Sequence, residues 1–438
     1  MASTYLTRNM TTQGSSIKGT FSCWFKLASD NLTGGLLSHY FSSNYLFDIC
    51  LYNANIEVAD YRSNAGGYLL RKRTTAKYRD LNAWYHLYVA IDRSLGTAVD
   101  RCKIYVNGDR VTDFLSNENA DYSQQTSGGH SGAVSMNNDY TARVGVRYDT
   151  TYFDGSISHM HWVDGSVIDI AQFGSTDSTT GEWKINTSPT VADYGTNGFF
   201  ILKDGNTITD QSSGGSYDFT VGGGTLTKTE DNPSNVFATL NPLVPDAGST
   251  GLFHGNNQLN VNTANWRSAF STLGMSSGKF YFESQIQAGG YIHIGARGVE
   301  QSDGSLAGNN DWIGVTSQGW SYDKTGEVRN NNSSVASGKA TFGNTDIIGC
   351  LLDLDNWTIN WTKNGTLINS TAYNITQNLT YVFGVSGHST ARILTNFGNG
   401  NFSSTTISSA GTNASNNGIF EYDVPSGFTA LSTKGLNL

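Results

Sequence analysis

Apolar residues in this chain recur at every second position in short runs bounded by turn formers, and that spacing is the signature of β-strands rather than helices. In Gly19-Thr20-Phe21-Ser22-Cys23-Trp24-Phe25-Lys26-Leu27, the side chains of Phe21, Cys23, Phe25 and Leu27 share one face of a strand and belong in a core. A second aromatic and β-branched run spans 82–92, and a third, Lys103-Ile104-Tyr105-Val106, is followed by Asn107-Gly108 and Asp109-Arg110-Val111. An Asn-Gly pair between two such runs predicts a type I′ hairpin, because both central residues must take positive φ. Further runs at 142–146, 153–163 and 198–202 complete the spacing of a β-sandwich. Composition agrees: Gly 50, Tyr 22, Phe 21 and Trp 9, with charged residues at 14%, supply strand and turn formers and few helix formers. The predicted class is all-β, two tandem antiparallel sandwiches, since 438 residues exceed one hydrophobic core.

Charge and cysteine content narrow the function classes. The net charge is -9, and the longest basic run is Arg71-Lys72-Arg73, so no polyanion footprint marks nucleic acid as a partner. No apolar stretch reaches the roughly 20 residues of a membrane span, and the first residues lack a signal-peptide core. The expectation is a protein made in cytosol and kept there or released by lysis, with no membrane insertion. Cys23, Cys50, Cys102 and Cys350 sit inside apolar strand-like runs with no CxxC pair, which predicts buried free thiols.

Two segments resemble known families. Thr20 to Trp24, Tyr78-Arg79-Asp80 with Trp84-Tyr85-His86, Tyr105 to Gly108, Phe153-Asp154-Gly155 and Val163-Asp164-Gly165 together resemble the laminin-G-like, concanavalin A-like domains of marine phage and giant-virus structural proteins. Gly181-Glu182-Trp183, Tyr194 to Phe199 and Asp231 to Pro242 look like the same group. Farther on, Ser277 to Glu283, Tyr291 to Ala296, Gly319-Trp320-Ser321-Tyr322, Ile348 to Asp355, Trp357 to Leu367 with its Asn364-Gly365 turn, and Tyr381 to Val385 with Asn396-Phe397-Gly398 resemble successive motifs of SPRY (B30.2) domains. Between them the chain turns rich in Gly, Ser and Thr, with Gly222-Gly223-Gly224 and Pro233, Pro242 and Pro245. The expected organisation is a lectin-like sandwich over 1–205, a connector over 206–250 and a SPRY-like sandwich over 251–438.

Concanavalin-like folds can host glycosidases, whose chemistry needs two carboxyl groups about 5 to 9.5 Å apart. Glu57 and Asp60 are three apart, which puts them on opposite faces of a strand, and Glu182 has no acidic partner on its face. No Glu-x-Asp-x-x-Glu, nucleophile elbow, phosphate loop or HExxH pattern occurs, so the chain is expected not to be an enzyme. His159-Met160-His161 has metal-like spacing but reads more simply as a strand with one polar face. The laminin-G-like resemblance implies that a rim site for Ca2+ is the one cofactor to consider, with Asp154 and Asp164 as its carboxylates. Each precedes a Gly, and each reads equally well as a turn residue.

For ligand binding, the polar stretches Leu115 to Asn138 and Glu300 to Asn310 exceed ordinary hairpin loops. Sugar recognition sets an aromatic face against C–H groups while carboxylates and amides take hydroxyls, which makes Tyr122, His130, Asp311, Trp312 and Tyr322 the candidate contacts. Trp320 and Trp357 occupy family motif positions and are expected in the core. The resemblance then implies a bacteriophage or related virion protein, a receptor-binding component of a tail or head fibre that recognises host-surface glycan or protein. It would assemble with other virion proteins and with itself, a trimer being the expected oligomer. A capsid decoration or cement protein is the alternative, and a glycan depolymerase the third class.

Overall fold

The structure, a computed structural model, describes residues 3–29, 33–125, 134–148, 150–203, 207–213, 217–243, 250–299, 311–403 and 405–437. Two compact units divide the chain, Met1–Lys228 and Thr229–Leu438, and both are built almost entirely of antiparallel strands.

The first unit is a sandwich of an eight-stranded and a six-stranded sheet. The larger sheet runs, from one edge to the other, through Phe114–Ala120, Gly67–Thr74, Asn55–Arg62, Tyr45–Tyr52, Gly34–Ser42, Thr141–Val144, Tyr5–Asn9 and Thr220–Gly223. In the smaller one, Lys18–Leu27 lies between Gly155–Asp164 and Tyr85–Asp92. As its alternation predicts, Phe21, Cys23, Phe25 and Leu27 enter the core, where they meet Phe47, Ile49 and Val58 of the opposing sheet. The outer face of the six-stranded sheet is also dry: Tyr88, Ala90, Val163 and Phe200 are covered by Phe173, Val191 and Tyr194 from the segment that follows Gly155–Asp164.

Turn chemistry follows the sequence closely. Asn107 and Gly108 have φ of 50° and 85° and join Val106 to its partner Asp109, the predicted type I′ turn. Gly108 is required twice over, since a Cβ there would stand 2.4 Å from the Trp183 ring. Asn364-Gly365 repeats the turn with φ of 48° and 79°. A third such hairpin uses Asn53-Ala54, where an alanine takes φ of 70° and gives no sequence warning.

In the second unit the 17-residue strand Thr380–Asn396 organises the fold. Its first half pairs with Tyr291–Val299, its second half with Lys279–Ala288, and Gln258–Phe270 follows it on the other side. A left-handed residue, Ser389 at φ 65°, lies where the strand passes from one partner to the next. Phe282, Ile294, Trp361, Phe383 and Phe397 form the core. The closing segment adds a short parallel pairing, Phe280 with Thr429 and Tyr281 with Ala430.

The described residues of the connector expected at 206–250 do not form a separate segment. Phe219 belongs to the first core and Thr220–Gly223 pairs with Tyr5–Thr7, whereas Phe237, Ala238 and Leu240 are buried in the second unit. Glycine-rich composition marked weak strands, but the isolated apolar residues within it anchor each end to a core. All four cysteines are buried and unpaired, consistent with their apolar runs.

Candidate functional site

The residues singled out from sequence separate into core, anchor and surface. Tyr122 is 1% exposed, and its hydroxyl donates to Asp60 Oδ2 at 2.7 Å. Asp60 also accepts the backbone N–H groups of Ser135 and Met136, so the pair clamps both ends of the polar stretch rather than facing a ligand. Tyr322 is fully buried against Phe342 and Trp361, with its hydroxyl donating to the Ala340 carbonyl. Both tyrosines are thus corrected from contacts to core, since each polar tip found an interior acceptor that made full burial affordable. His130 and the stretch 300–310 lie outside the described residues.

Of the two aspartates named for calcium, Asp164 is already engaged by protein donors. Asp164 is buried and accepts N–H groups from Ser15, Asn137 and Asn197 at 2.7, 2.7 and 3.0 Å, a donor set that suits a carboxylate anchor. Asp154 accepts the Ser29 hydroxyl at 2.6 Å. His159 and His161 do not share a ligand position either. The pairing slips between Ser158 and His161, His159 takes φ of 47°, and His161 Nδ1 meets the Tyr194 hydroxyl at 2.8 Å. Among the described residues, one group of three potential metal ligands converges: Asp48, Cys50 and Glu57, all buried. A fixed cation already serves these carboxylates, because Arg147 Nε lies 2.5 Å from Asp48 and its Nη2 2.7 Å from Glu57. That donor set answers an internal guanidinium, not a metal ion.

Asp311 and Trp312 point to a different arrangement, an aromatic patch in the second unit. Trp312 is 9% exposed and stacks on His293 with ring centroids 4.2 Å apart. Trp266 stands edge-on to His293 at 4.8 Å and lies 5.2 Å from His388, which in turn meets Tyr291 at 5.7 Å. The strand register makes this convergence: Tyr291 pairs directly with His388, and Gln258–Phe270 runs along the far side of the same strand. Exposure is graded across the patch. Tyr291 is 57% exposed, Trp266 and His388 are half-buried, and His293 and Trp312 form the floor.

Polar groups fix this floor. His293 Nδ1 is 3.0 Å from Ser321 Oγ, and burial holds its imidazole well below the ordinary histidine range despite Asp323 nearby. Burial works to raise Asp323, but hydrogen bonds from Thr325, Arg329 and the Glu327 backbone outweigh it and keep the carboxyl low. The Arg329 guanidinium lies 5.9 Å over Trp312, and the Lys324 ammonium 5.5 Å over Tyr291. Asp311 contributes its carbonyl, which accepts the Ser268 hydroxyl at 2.8 Å. The arrangement can stack on a planar or C–H-rich ligand face and offer cations at its rim.

Trp312, expected from sequence as a ligand contact, lies buried in the floor of this patch, and Trp266, Tyr291, His293 and His388 were not among the expected contacts. The alternation of Tyr291 and His293 within one run was visible, but nothing in the sequence linked it to residues 266 and 388.

Residues 279–400 match the SPRY domain family, so the chain contains a SPRY domain there. A probable ATP-dependent RNA helicase ddx1 of Dictyostelium discoideum is 35% identical over 103 residues, 24% of this chain and 12% of the helicase. ATP-dependent RNA helicase Ddx1 of Drosophila melanogaster is 36% identical over 101 residues, 23% of this chain and 13% of that protein. The chain therefore spans about an eighth of the length of these curated relatives. Among solved structures, the SPRY domain of human HERC1 is 17% identical, with a TM-score of 0.29, covering 36% of this chain and 96% of that one.

Proposed function

We propose that this chain works by binding and not by catalysis, as a virion surface protein that recognises a host-surface glycan or protein. The aromatic patch carries this reading: Tyr291, Trp266 and His388 are displayed together over a rigid His293–Trp312 floor, inside or beside the SPRY domain. Aromatic side chains that keep a defined geometry while partly exposed are efficient anchors, because they contribute contact area with little entropy left to lose. The virion setting, the laminin-G-like character of the first unit and self-association into an oligomer rest on the motif resemblances of the sequence. The likeness to the two helicases covers 12% and 13% of those proteins and supports a shared fold element.

The test is binding of the purified full chain to immobilised glycan and peptide arrays, with polymer length followed in parallel. Selective retention, weakened at least tenfold by Trp266→Ala with Tyr291→Ala, without shortening of any polymer, is the expected result. Unchanged retention in that double variant, or cleavage of the bound polymer, overturns the reading. Mass spectrometry of purified particles tests the virion assignment directly.

A further inference from the structure

Near one edge of the eight-stranded sheet, the strand Gly67–Thr74 carries Arg71, Lys72 and Arg73 in succession. Alternation sends the two arginines to the outer face and the lysine to the inner one, where its strand neighbour Val58 is core. Outside, the charges close among themselves in a lattice of ion pairs. Glu57 accepts Arg71 Nε at 3.0 Å, Arg73 Nε at 2.8 Å and Arg147 Nη2 at 2.7 Å, and Glu118 meets Arg71 at 3.0 Å and Arg73 at 2.6 Å. Lys72 has no place in that lattice, yet its side chain is only 2% exposed. A lysine is almost never buried so far unless something holds its amine.

Two groups hold it. Asn119, on the edge strand Phe114–Ala120, is its direct cross-strand partner, and Nζ donates to Asn119 Oδ1 at 2.5 Å. Asp121, just beyond that strand, sets a buried carboxylate oxygen 2.7 Å from the same nitrogen. The Phe114 ring, packed on the core, lies 5.0 Å from the ammonium. The Asn119 carbonyl carbon is one bond of about 1.2 Å beyond Oδ1, so Nζ and Cγ are at most about 3.7 Å apart, close to the roughly 3 to 3.5 Å of a near-attack pair. Lys339 makes a useful contrast. It also donates to an asparagine, Asn369, at 3.1 Å, but it is half-buried and has no ion-paired carboxylate among the described residues.

We propose that Lys72 and Asn119 join in an intramolecular amide crosslink, an isopeptide bond, with Asp121 relaying the protons. Asp121 takes a proton from the ammonium, which frees the Nζ lone pair for attack on Cγ. The Nζ–Cγ bond forms and the Cγ–Nδ2 bond breaks. Nζ passes from an ammonium with three protons to an amide with one, and the two it gives up depart with Nδ2 as ammonium. One amide replaces another, so nothing is oxidised or reduced and no water is consumed. Asn119 lies exposed at the sheet edge, which gives the ammonium a way out. The product closes a loop across 47 positions and ties Phe114–Ala120, which has a single neighbour in its sheet, to that neighbour. An edge strand so fastened cannot peel away or take a foreign partner on its inner side.

The test is the intact mass of the purified full chain, followed by peptide mapping. A mass one ammonia below that of the sequence is expected, with a branched peptide joining Lys72 to Asn119. Asn119→Ala, a change at an exposed position, should fold, keep its full mass and yield no branched peptide, and its first unit should melt at a lower temperature. Asp121→Asn should accumulate the crosslink at least about tenfold more slowly, and equal rates would remove Asp121 from the relay. A chain that keeps its full mass after prolonged incubation holds an ordinary buried ion pair, and the inference fails. It fails equally if the ammonia loss persists in Asn119→Ala, because the loss then belongs to another asparagine, such as one in an Asn-Gly turn.

Discussion

The outward cluster of the first unit and that of the second solve opposite problems. On the eight-stranded sheet, Asp48 and Glu57 are fully buried, and their charges are met by Arg71, Arg73 and Arg147 within hydrogen-bonding distance. In the second unit, Trp266, Tyr291, His293, Trp312 and His388 hold one another through ring contacts, with the Asp323–Arg329 ion pair beside the floor and Lys324 over Tyr291. A buried charge without a partner is very costly, whereas a stacked ring tolerates partial exposure. The first cluster should therefore dominate stability when disturbed, and the second should mainly affect binding.

The sharpest way to break this contrast is Arg147→Met. It strands Asp48 and takes one of three guanidinium partners from Glu57, and removing one partner of a buried pair typically costs about 3 to 5 kcal/mol. Differential scanning calorimetry should show the first unit melting earlier while the second keeps its transition. An unshifted first transition would mean that the lattice is not what stabilises that sheet.

Next in size is a pH effect in the second unit. Glu283 is fully buried and accepts the Tyr281 hydroxyl and the Glu421 and Tyr422 N–H groups, holding the closing segment on its strand. Burial raises its carboxyl to about 7 from an ordinary 4.5, against those hydrogen bonds. A raised acid binds its proton more tightly in the folded state, so its stabilising contribution is complete below pH 4.5 and is lost as pH rises through 7. The loss is on the order of 3 kcal/mol. Urea unfolding across this range should show the second unit weakening, and Glu283→Gln should flatten that slope. A slope that persists in the variant assigns the titration elsewhere.

Smaller again is Tyr122→Phe, which removes one of the donors to buried Asp60 and should cost about 1 to 2 kcal/mol while leaving any ligand binding intact. Reduced binding with unchanged stability would restore Tyr122 as a contact. The smallest stability effect belongs to Tyr291→Ala, expected within about 0.5 kcal/mol because the ring is largely exposed. If that substitution destabilises the second unit as Arg147→Met does the first, the contrast between the two clusters fails.

The sequence by itself determined the class, the turns and the thiols. Period-two runs made strands, Asn107-Gly108 and Asn364-Gly365 made type I′ hairpins, and cysteines inside apolar runs are buried. These follow from interactions between residues that are neighbours along the chain. The SPRY motifs were legible for the same reason, as strands and turns in a fixed order. What only the tertiary structure decided was the partner of each polar tip and which sheet face is covered. Tyr122 and Tyr322 looked like surface aromatics until Asp60 and the Ala340 carbonyl gave their hydroxyls interior acceptors. The units divide at Lys228 and Thr229 because single buried residues such as Phe219 and Phe237 outweigh the glycine-rich composition around them. Residues 266, 291 and 388 meet only because one strand pairs along both its edges. Periodicity fixes the side of a strand on which a residue lies. Register and burial, set by distant strands, fix what it meets there.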